Sequence, residues 1–177
     1  MKKFILILIV SAFISACSQP TEQSQQMDSA YVAENKKAIA GMLDSFNLAA
    51  AQANFDAYFG YYTPDAVFLG TDATEYWSLD SFKTFAKPYF DRGRAWNFTT
   101  VQRQVYLGKY PDIAWFDELL STQMKICRGS GVVVKQGNTW KVQQYVLSMT
   151  VPNSLTDSLV PMKSAIEDSL LQAIRGK

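Results

Sequence analysis

The spacing of apolar residues changes halfway along the chain, and this change limits the folds open to it. Between Ser29 and Ala53 apolar side chains recur every three or four residues, which is typical of a helix with one buried stripe. From Trp96 to Val151 the chain consists of segments rich in β-branched and aromatic residues, separated by short turn sequences. The pattern therefore predicts an α+β fold, with helices first and a sheet after them.

Two further helices and a short strand are predicted in the first half. Asn54 and Ser78 are suitable N-caps for these helices, and Thr63-Pro64 is expected to end the first of them. Ala66 to Leu69 is a short apolar strand between them. Pro88 is expected to kink or end the later helix.

The second half predicts an antiparallel meander of four strands joined by turns, one of which is placed at Arg128 to Ser130. Side-chain alternation slips within the first strand, which indicates a bulge near Thr99 or Thr100. The four strands are expected at Trp96 to Leu107, Ile113 to Cys127, Gly131 to Lys135 and Thr139 to Val151.

The chain divides into four segments. Residues 1–16 read as a signal peptide, 17–30 as a flexible polar tether, 31–152 as one folded domain and 153–177 as an amphipathic helix. The last helix is expected to start or be interrupted near Pro161.

The N-terminal segment has the features of a targeting signal. Lys2 and Lys3 precede an apolar run from Phe4 to Val10, and small side chains lead to Cys17. The apolar stretch is far shorter than the ~20 residues of a transmembrane helix, so a secretory signal is favoured. It resembles bacterial lipoprotein signals, which implies cleavage before Cys17 and lipid on that residue. An ordinary secretory signal with an incidental cysteine is the alternative.

Localisation follows from the same resemblance. Ser18 rather than an aspartate comes after Cys17, which implies an outer-membrane lipoprotein facing the periplasm in a Gram-negative host, or a cell-surface lipoprotein otherwise. The membrane is therefore an expected partner, reached through lipidated Cys17.

Charge and residue counts exclude several functions. Loss of Lys2 and Lys3 with the leader changes the formal net charge from +1 to −1, so no nucleic-acid partner is expected. The chain has no histidine, which excludes Ser-His-Asp catalysis and histidine-ligated zinc. With Cys17 lipidated, Cys127 has no disulfide partner. No metal and no cofactor are expected.

Three segments carry a family resemblance. They are YYTPDAVFLGTDATEYW (Tyr61 to Trp77), SFKTFAKPYF (Ser81 to Phe90) and RGSGVVVKQGNTWKVQQYVLSMTVPN (Arg128 to Asn153). Together with the element order they resemble the SnoaL-like branch of the nuclear transport factor 2-like superfamily, over roughly Lys36 to Asn153. The resemblance implies a cystatin-like cone, with helices packed on a strongly bent antiparallel sheet. It implies no single activity, because the superfamily includes isomerases, cyclases, dehydratases, binding modules and association domains.

The sequence departs from the catalytic patterns of these relatives. The isomerases' catalytic aspartate aligns nearest Gly70, and their second carboxyl group falls near Ser130. Histidines of many SnoaL-like relatives align with Gln144 and Val146. These acid–base roles therefore do not transfer to this chain.

A pocket inside the cone would be walled by aromatic side chains, although for each of them taken alone a core position is favoured. Asp117 and Glu118 lie in one strand, so one of them must face inward. Asp117 is favoured as the inward residue because it shares parity with Trp115. The inward carboxylate could act as an acid or base with a raised pKa, but a structural ion pair with Arg103 or Arg128 is the favoured role. The wall candidates are Tyr62, Trp77, Trp96, Trp115 and Tyr145.

Asp72 and Glu75 form a second acidic group, in a loop that is well placed at a pocket mouth. Structural roles are favoured for both residues: Asp72 caps the turn and Glu75 binds a backbone amide. The favoured function is binding of a small apolar or amphipathic ligand by a homodimer that associates through its open sheet face.

Two other functions stay open. One is an isomerase, hydratase or cyclase using Asp117 or Asp72 as base, with Tyr62 or Tyr145 as hydrogen-bond donor. The other is a scaffold for an envelope partner.

Overall fold

The computed structural model describes residues 28–176, which form four α-helices and six β-strands. The signal peptide, Cys17 and most of the expected tether lie outside the described residues. The helices are α1 (Ser29–Ala51), α2 (Phe55–Gly60), α3 (Leu79–Asp91) and α4 (Thr156–Arg175). The strands are β1 (Tyr62–Leu69), β2 (Tyr76–Ser78), β3 (Thr99–Leu107), β4 (Ile113–Thr122), β5 (Lys125–Gln136) and β6 (Thr139–Met149).

The strands form one sheet in the order β2-β1-β6-β5-β4-β3. Strands β3 to β6 make the predicted antiparallel meander, whereas β1 and β6 run parallel, so the sheet is mixed. Its register shifts between Thr100 and Gln102, which confirms the predicted bulge to within a residue.

The turn predicted at Arg128 to Ser130 is wrong, because β5 runs straight through these residues. The chain reverses earlier, before Lys125, which has a φ of 70°. Two glycines in this segment are needed because there is no room for a side chain. A Cβ on Gly129 would lie 2.4 Å from the Tyr145 hydroxyl, and one on Gly131 would lie 2.3 Å from the Gln144 carbonyl oxygen.

The helix caps agree with the sequence prediction, whereas neither Pro88 nor Pro64 is the point at which a helix ends. Asn54 accepts a hydrogen bond from Ala57 N–H at 3.1 Å, and Ser78 accepts one from Ser81 N–H at 3.3 Å. Helix α3 continues through Pro88 to Asp91. Helix α2 ends at Gly60, and Pro64 lies in β1, where pairing with β6 is interrupted.

Helices α1, α2 and α3 pack against one face of the bent sheet, and the core lies between these layers. Aromatic rings fill much of it: Phe82 stacks on Phe68 with ring centroids 4.1 Å apart, and Phe46 stacks on Tyr58 at 4.5 Å. The opposite sheet face is open. Helix α4 starts at Thr156, runs through Pro161 and buries none of its residues.

Candidate functional site

The two acidic residues of β4 face opposite sides of the sheet. Glu118 points into the core and is 1% exposed, while Asp117 and Trp115 lie on the open face, where Trp115 is 47% exposed. Asp117 and Trp115 do lie on the same face of the strand, but this is the outward face, because the side chains of Phe116 and Glu118 occupy the interior. The expectation that Asp117 and Trp115 belong to an internal pocket is therefore wrong.

On the open face, Asp117 accepts a hydrogen bond from the Tyr106 hydroxyl at 3.0 Å. This bond raises the pKa of Tyr106. The Tyr106 ring also stacks on Trp115, with centroids 5.9 Å apart. Asp117 thus belongs to a surface group and has no access to the interior of the cone.

Glu118 is held by partners from two other strands. Tyr145 Oη donates to Glu118 Oε1 at 2.8 Å, and Arg103 contacts Oε2 through Nε and Nη2, both at 2.8 Å. Arg103 also donates to the Ala40 carbonyl at 2.9 Å and to Asp44 at 2.7 Å, both in α1. Burial alone would lower the Arg103 pKa, but the Glu118 and Asp44 charges raise it overall. The ion-pair prediction is confirmed, with Arg103 and Glu118 as the pair.

Two of the expected wall tyrosines are core residues. Tyr62 and Tyr145 are both buried, and the Tyr62 and Tyr58 hydroxyl oxygens lie 3.1 Å apart. Burial raises the pKa of all three phenols well above the ordinary tyrosine value. Trp77 stacks on Phe85, which lines a cavity at the edge of the cone, but Trp77 itself does not line that cavity.

A cavity of about 180 Å³ lies between the end of β1, helix α3 and the β4–β5 turn. Its wall is mainly aromatic, and its polar lining comes from Thr71, Glu75 and Gln123. Trp96 and Glu75 were singled out from the sequence. The other aromatic lining residues were missed as site residues, because Phe82 and Phe85 fit the buried face of an amphipathic helix equally well. The aromatic side chains are Phe68, Phe82, Phe85, Trp96 and Phe98.

The loop after β1 holds Glu75 at this cavity. Gly70 N–H donates to the Glu75 carbonyl at 2.9 Å, and Asp72 N–H donates to Glu75 Oε2 at 3.2 Å. A Cβ on Gly70 would lie 2.0 Å from Oε2, so glycine is required for the carboxylate to fold over the backbone here. The backbone-amide prediction for Glu75 is confirmed, although the residue also lines the cavity.

Asp72 is exposed and does not line the cavity. Its Oδ1 accepts from Thr74 N–H at 2.8 Å and from the Thr74 hydroxyl at 2.6 Å. These bonds lower the Asp72 pKa. The capping prediction is therefore confirmed for Asp72.

Comparison with known proteins agrees with this architecture. An NTF2-like protein of unknown function from Pseudomonas putida has 14% identity and a TM-score of 0.58, covering 68% of this chain and 90% of its own. A protein with a cystatin-like fold from Nostoc punctiforme has 12% identity and a TM-score of 0.52, covering 64% and 90%. The association domain of CaMKII from C. elegans has 16% identity and a TM-score of 0.56, covering 69% and 100%.

No curated protein sequence matches this chain. Within residues 28–176, no helix is both long and apolar enough to cross a bilayer. The family model of the SnoaL-like domain matches residues 39–152, which is more than half of the chain. The solved structures of the NTF2-like protein and the cystatin-like protein share its fold. The chain therefore belongs to the SnoaL-like domain family.

Proposed function

We propose that the domain binds a small apolar or amphipathic molecule in the cavity beside α3. The observation that carries this proposal is an aromatic-walled space of about 180 Å³ in a cone whose centre is otherwise filled with side chains. An apolar cavity of about 150 Å³ is enough to bind benzene in another protein. The size here therefore suits one aromatic ring or a short aliphatic chain.

Binding is favoured over acid–base catalysis by the residues first considered for it. Neither Asp72 nor Asp117 lines the cavity, and the Tyr62 and Tyr145 hydroxyls are engaged in the core. Glu118 is buried, is paired with Arg103 and does not line the cavity, so it is out of reach of a ligand bound there. The lining carboxylate is Glu75.

The proposal includes association of two domains through the open sheet face. Tyr106, Ile113 and Trp115 are exposed on this face and form an apolar surface on neighbouring strands. Large exposed apolar side chains that lie together are typical of protein interfaces. The similar fold of the CaMKII association domain is consistent with assembly on such a scaffold.

The proposal also includes anchoring of the domain in the cell envelope through lipid on Cys17, facing the periplasm in a Gram-negative host. The support is the signal-like sequence before Cys17 and the polar residues after it. Cys17→Ser is expected to move the intact domain from the membrane fraction to the soluble fraction. Retention of that variant in the membrane would contradict the anchor.

Ligand binding is tested by titrating the purified protein with benzyl alcohol and following chemical shifts by NMR. Met124 lines the cavity, so Met124→Trp should fill it and abolish the shifts. Ile126→Trp is the matched control, because Ile126 is exposed and does not line the cavity. Binding that persists unchanged in Met124→Trp would place the ligand elsewhere and overturn the proposal.

A further inference from the structure

The cavity has an uneven distribution of charge. Aromatic and aliphatic side chains form most of its wall, and of its lining residues Glu75 alone carries a charge. An ionised carboxylate accepts hydrogen bonds but donates none. A ligand that contacts Glu75 must therefore offer a donor or a positive charge.

The Glu75 carboxylate is held in place by a hydrogen bond, but no positively charged side chain in the described range 28–176 compensates its charge. Its Oε2 accepts the Asp72 N–H, while Oε1 accepts no hydrogen bond from any other residue in the described range 28–176. Within the same range Glu75 takes part in no ion pair, in contrast to Glu118, whose charge is compensated by Arg103. The cavity therefore retains an uncompensated negative charge.

The apolar wall increases the effect of that charge. Electrostatic interactions strengthen as the surrounding dielectric constant falls, and the apolar rings of Phe85, Trp96 and Phe98 line the same cavity as the carboxylate. Aromatic walls also tolerate a cation, because the faces of their rings carry negative potential. Anions are disfavoured by the same carboxylate.

We propose that the cavity selects an organic ammonium ion whose apolar body is about the size of one ring. The ammonium group pairs with Glu75, and the ring occupies the space beside Phe82 and Trp96. This inference rests on the proposed ligand-binding function and adds the charge of the ligand to it.

The test compares three probes of similar shape and different charge: benzylammonium, benzyl alcohol and benzoate. Titrations of the purified protein at neutral pH and low salt should show benzylammonium binding about five- to tenfold more tightly than benzyl alcohol, with benzoate weakest. The preference for the cation should shrink as salt is added.

Two variants assign the preference to Glu75. Glu75→Gln keeps the shape of the side chain and should bring benzylammonium to the affinity of benzyl alcohol. Gly70→Ala should do the same, because its Cβ displaces the Glu75 carboxylate. Asp117→Asn is the control that removes a carboxylate from the opposite sheet face, and it should leave the preference unchanged.

The outcomes separate the two proposals. Equal binding of benzylammonium and benzyl alcohol to the wild type, or a cation preference that survives Glu75→Gln, overturns the ammonium inference while leaving ligand binding intact. Failure of all three probes to bind overturns the proposed function as well.

Discussion

The Tyr145 hydroxyl donates a 2.8 Å hydrogen bond to the Glu118 carboxylate across the width of strand β5, which lies between them in the sheet. Gly129 makes this contact possible, because any Cβ there would occupy the space of the Tyr145 hydroxyl. With Arg103 on the other carboxylate oxygen, the charge of Glu118 is compensated inside the core. The centre of the cone is therefore a structural network, and the proposed ligand cavity lies at its edge.

Replacement of Glu118 should be strongly destabilising. Glu118→Ala leaves the buried Arg103 guanidinium with the Thr100 hydroxyl and its two α1 partners, and breaking a buried ion pair typically costs about 3–5 kcal/mol. Urea denaturation should show this loss in the free energy of unfolding. Asp117→Ala removes the neighbouring, partly exposed carboxylate and should change stability by about 0.5 kcal/mol or less. Equal effects of the two substitutions would contradict the structural role of Glu118.

Gly129→Ala should be destabilised by steric conflict. The added Cβ would lie 2.4 Å from Tyr145 Oη and 3.0 Å from Glu118 Cγ, and overpacking of this kind costs about 1–3 kcal/mol. Tyr145→Phe removes the clashing hydroxyl, so the double variant should lose less stability than the sum of the two single variants. A double-mutant cycle from urea denaturation measures this coupling.

A second glycine provides the control for that cycle. Gly41 lies in helix α1 with no atom within 4 Å of the position of a Cβ. Gly41→Ala should therefore stabilise the protein, by up to about 1 kcal/mol. Additive energies for Gly129→Ala and Tyr145→Phe would show that the two residues do not compete for space.

The residues of β4 show why the sequence predicted the strand but not its inner face. Both parities of this strand carry apolar residues, with Ile113 and Trp115 on one and Ala114 and Phe116 on the other. Alternation alone could show that one of the two acids points inward. The choice depends on Gly129 and Tyr145, which are distant in sequence and provide the space and the hydrogen bond for Glu118.

Contacts between residues that are distant in sequence also limited the prediction of the site. Helix caps at Asn54 and Ser78 depend on local hydrogen bonds and could be found from sequence. The cavity depends on how α3, the residues before β3 and the β4–β5 turn meet, so Phe85 and Phe98 gave no separate signal. Glycines were ambiguous for a related reason, since Gly129 reads as a turn residue but serves packing.

Stability should fall at alkaline pH because of three buried tyrosines. Burial raises the pKa of Tyr58, Tyr62 and Tyr145 above the ordinary value of 10.0, at which the same phenols ionise in the unfolded chain. Above pH 10 the folded state therefore binds more protons than the unfolded state, so its stability decreases as pH rises. Below that pH the contribution is fully present.

The measurement follows circular dichroism and tyrosinate absorbance together as pH is raised. The last part of the absorbance change should coincide with cooperative unfolding. Tyr62→Phe, which lacks one of the three phenols, should lose stability less steeply above pH 10. Ionisation of all nine tyrosines without a change in circular dichroism would contradict this prediction.

Removal of residues 153–177 should leave the domain folded. Helix α4 buries no side chain, so its loss exposes little of the core. The free energy of unfolding should change by about 0.5 kcal/mol or less in urea denaturation. A larger loss would show that the helix contributes to the stability of the domain in solution.

The open sheet face should control association. Trp115 is exposed there beside Tyr106, so Trp115→Glu would place a charge inside the proposed interface without disturbing the core. Sedimentation velocity should show a dimer for the wild type and a monomer with an unchanged unfolding midpoint for Trp115→Glu. Leu48→Glu, at an exposed position on α1, is the matched control and should remain dimeric. A dimer that survives Trp115→Glu but dissociates in Leu48→Glu would move the interface to the helical side of the cone.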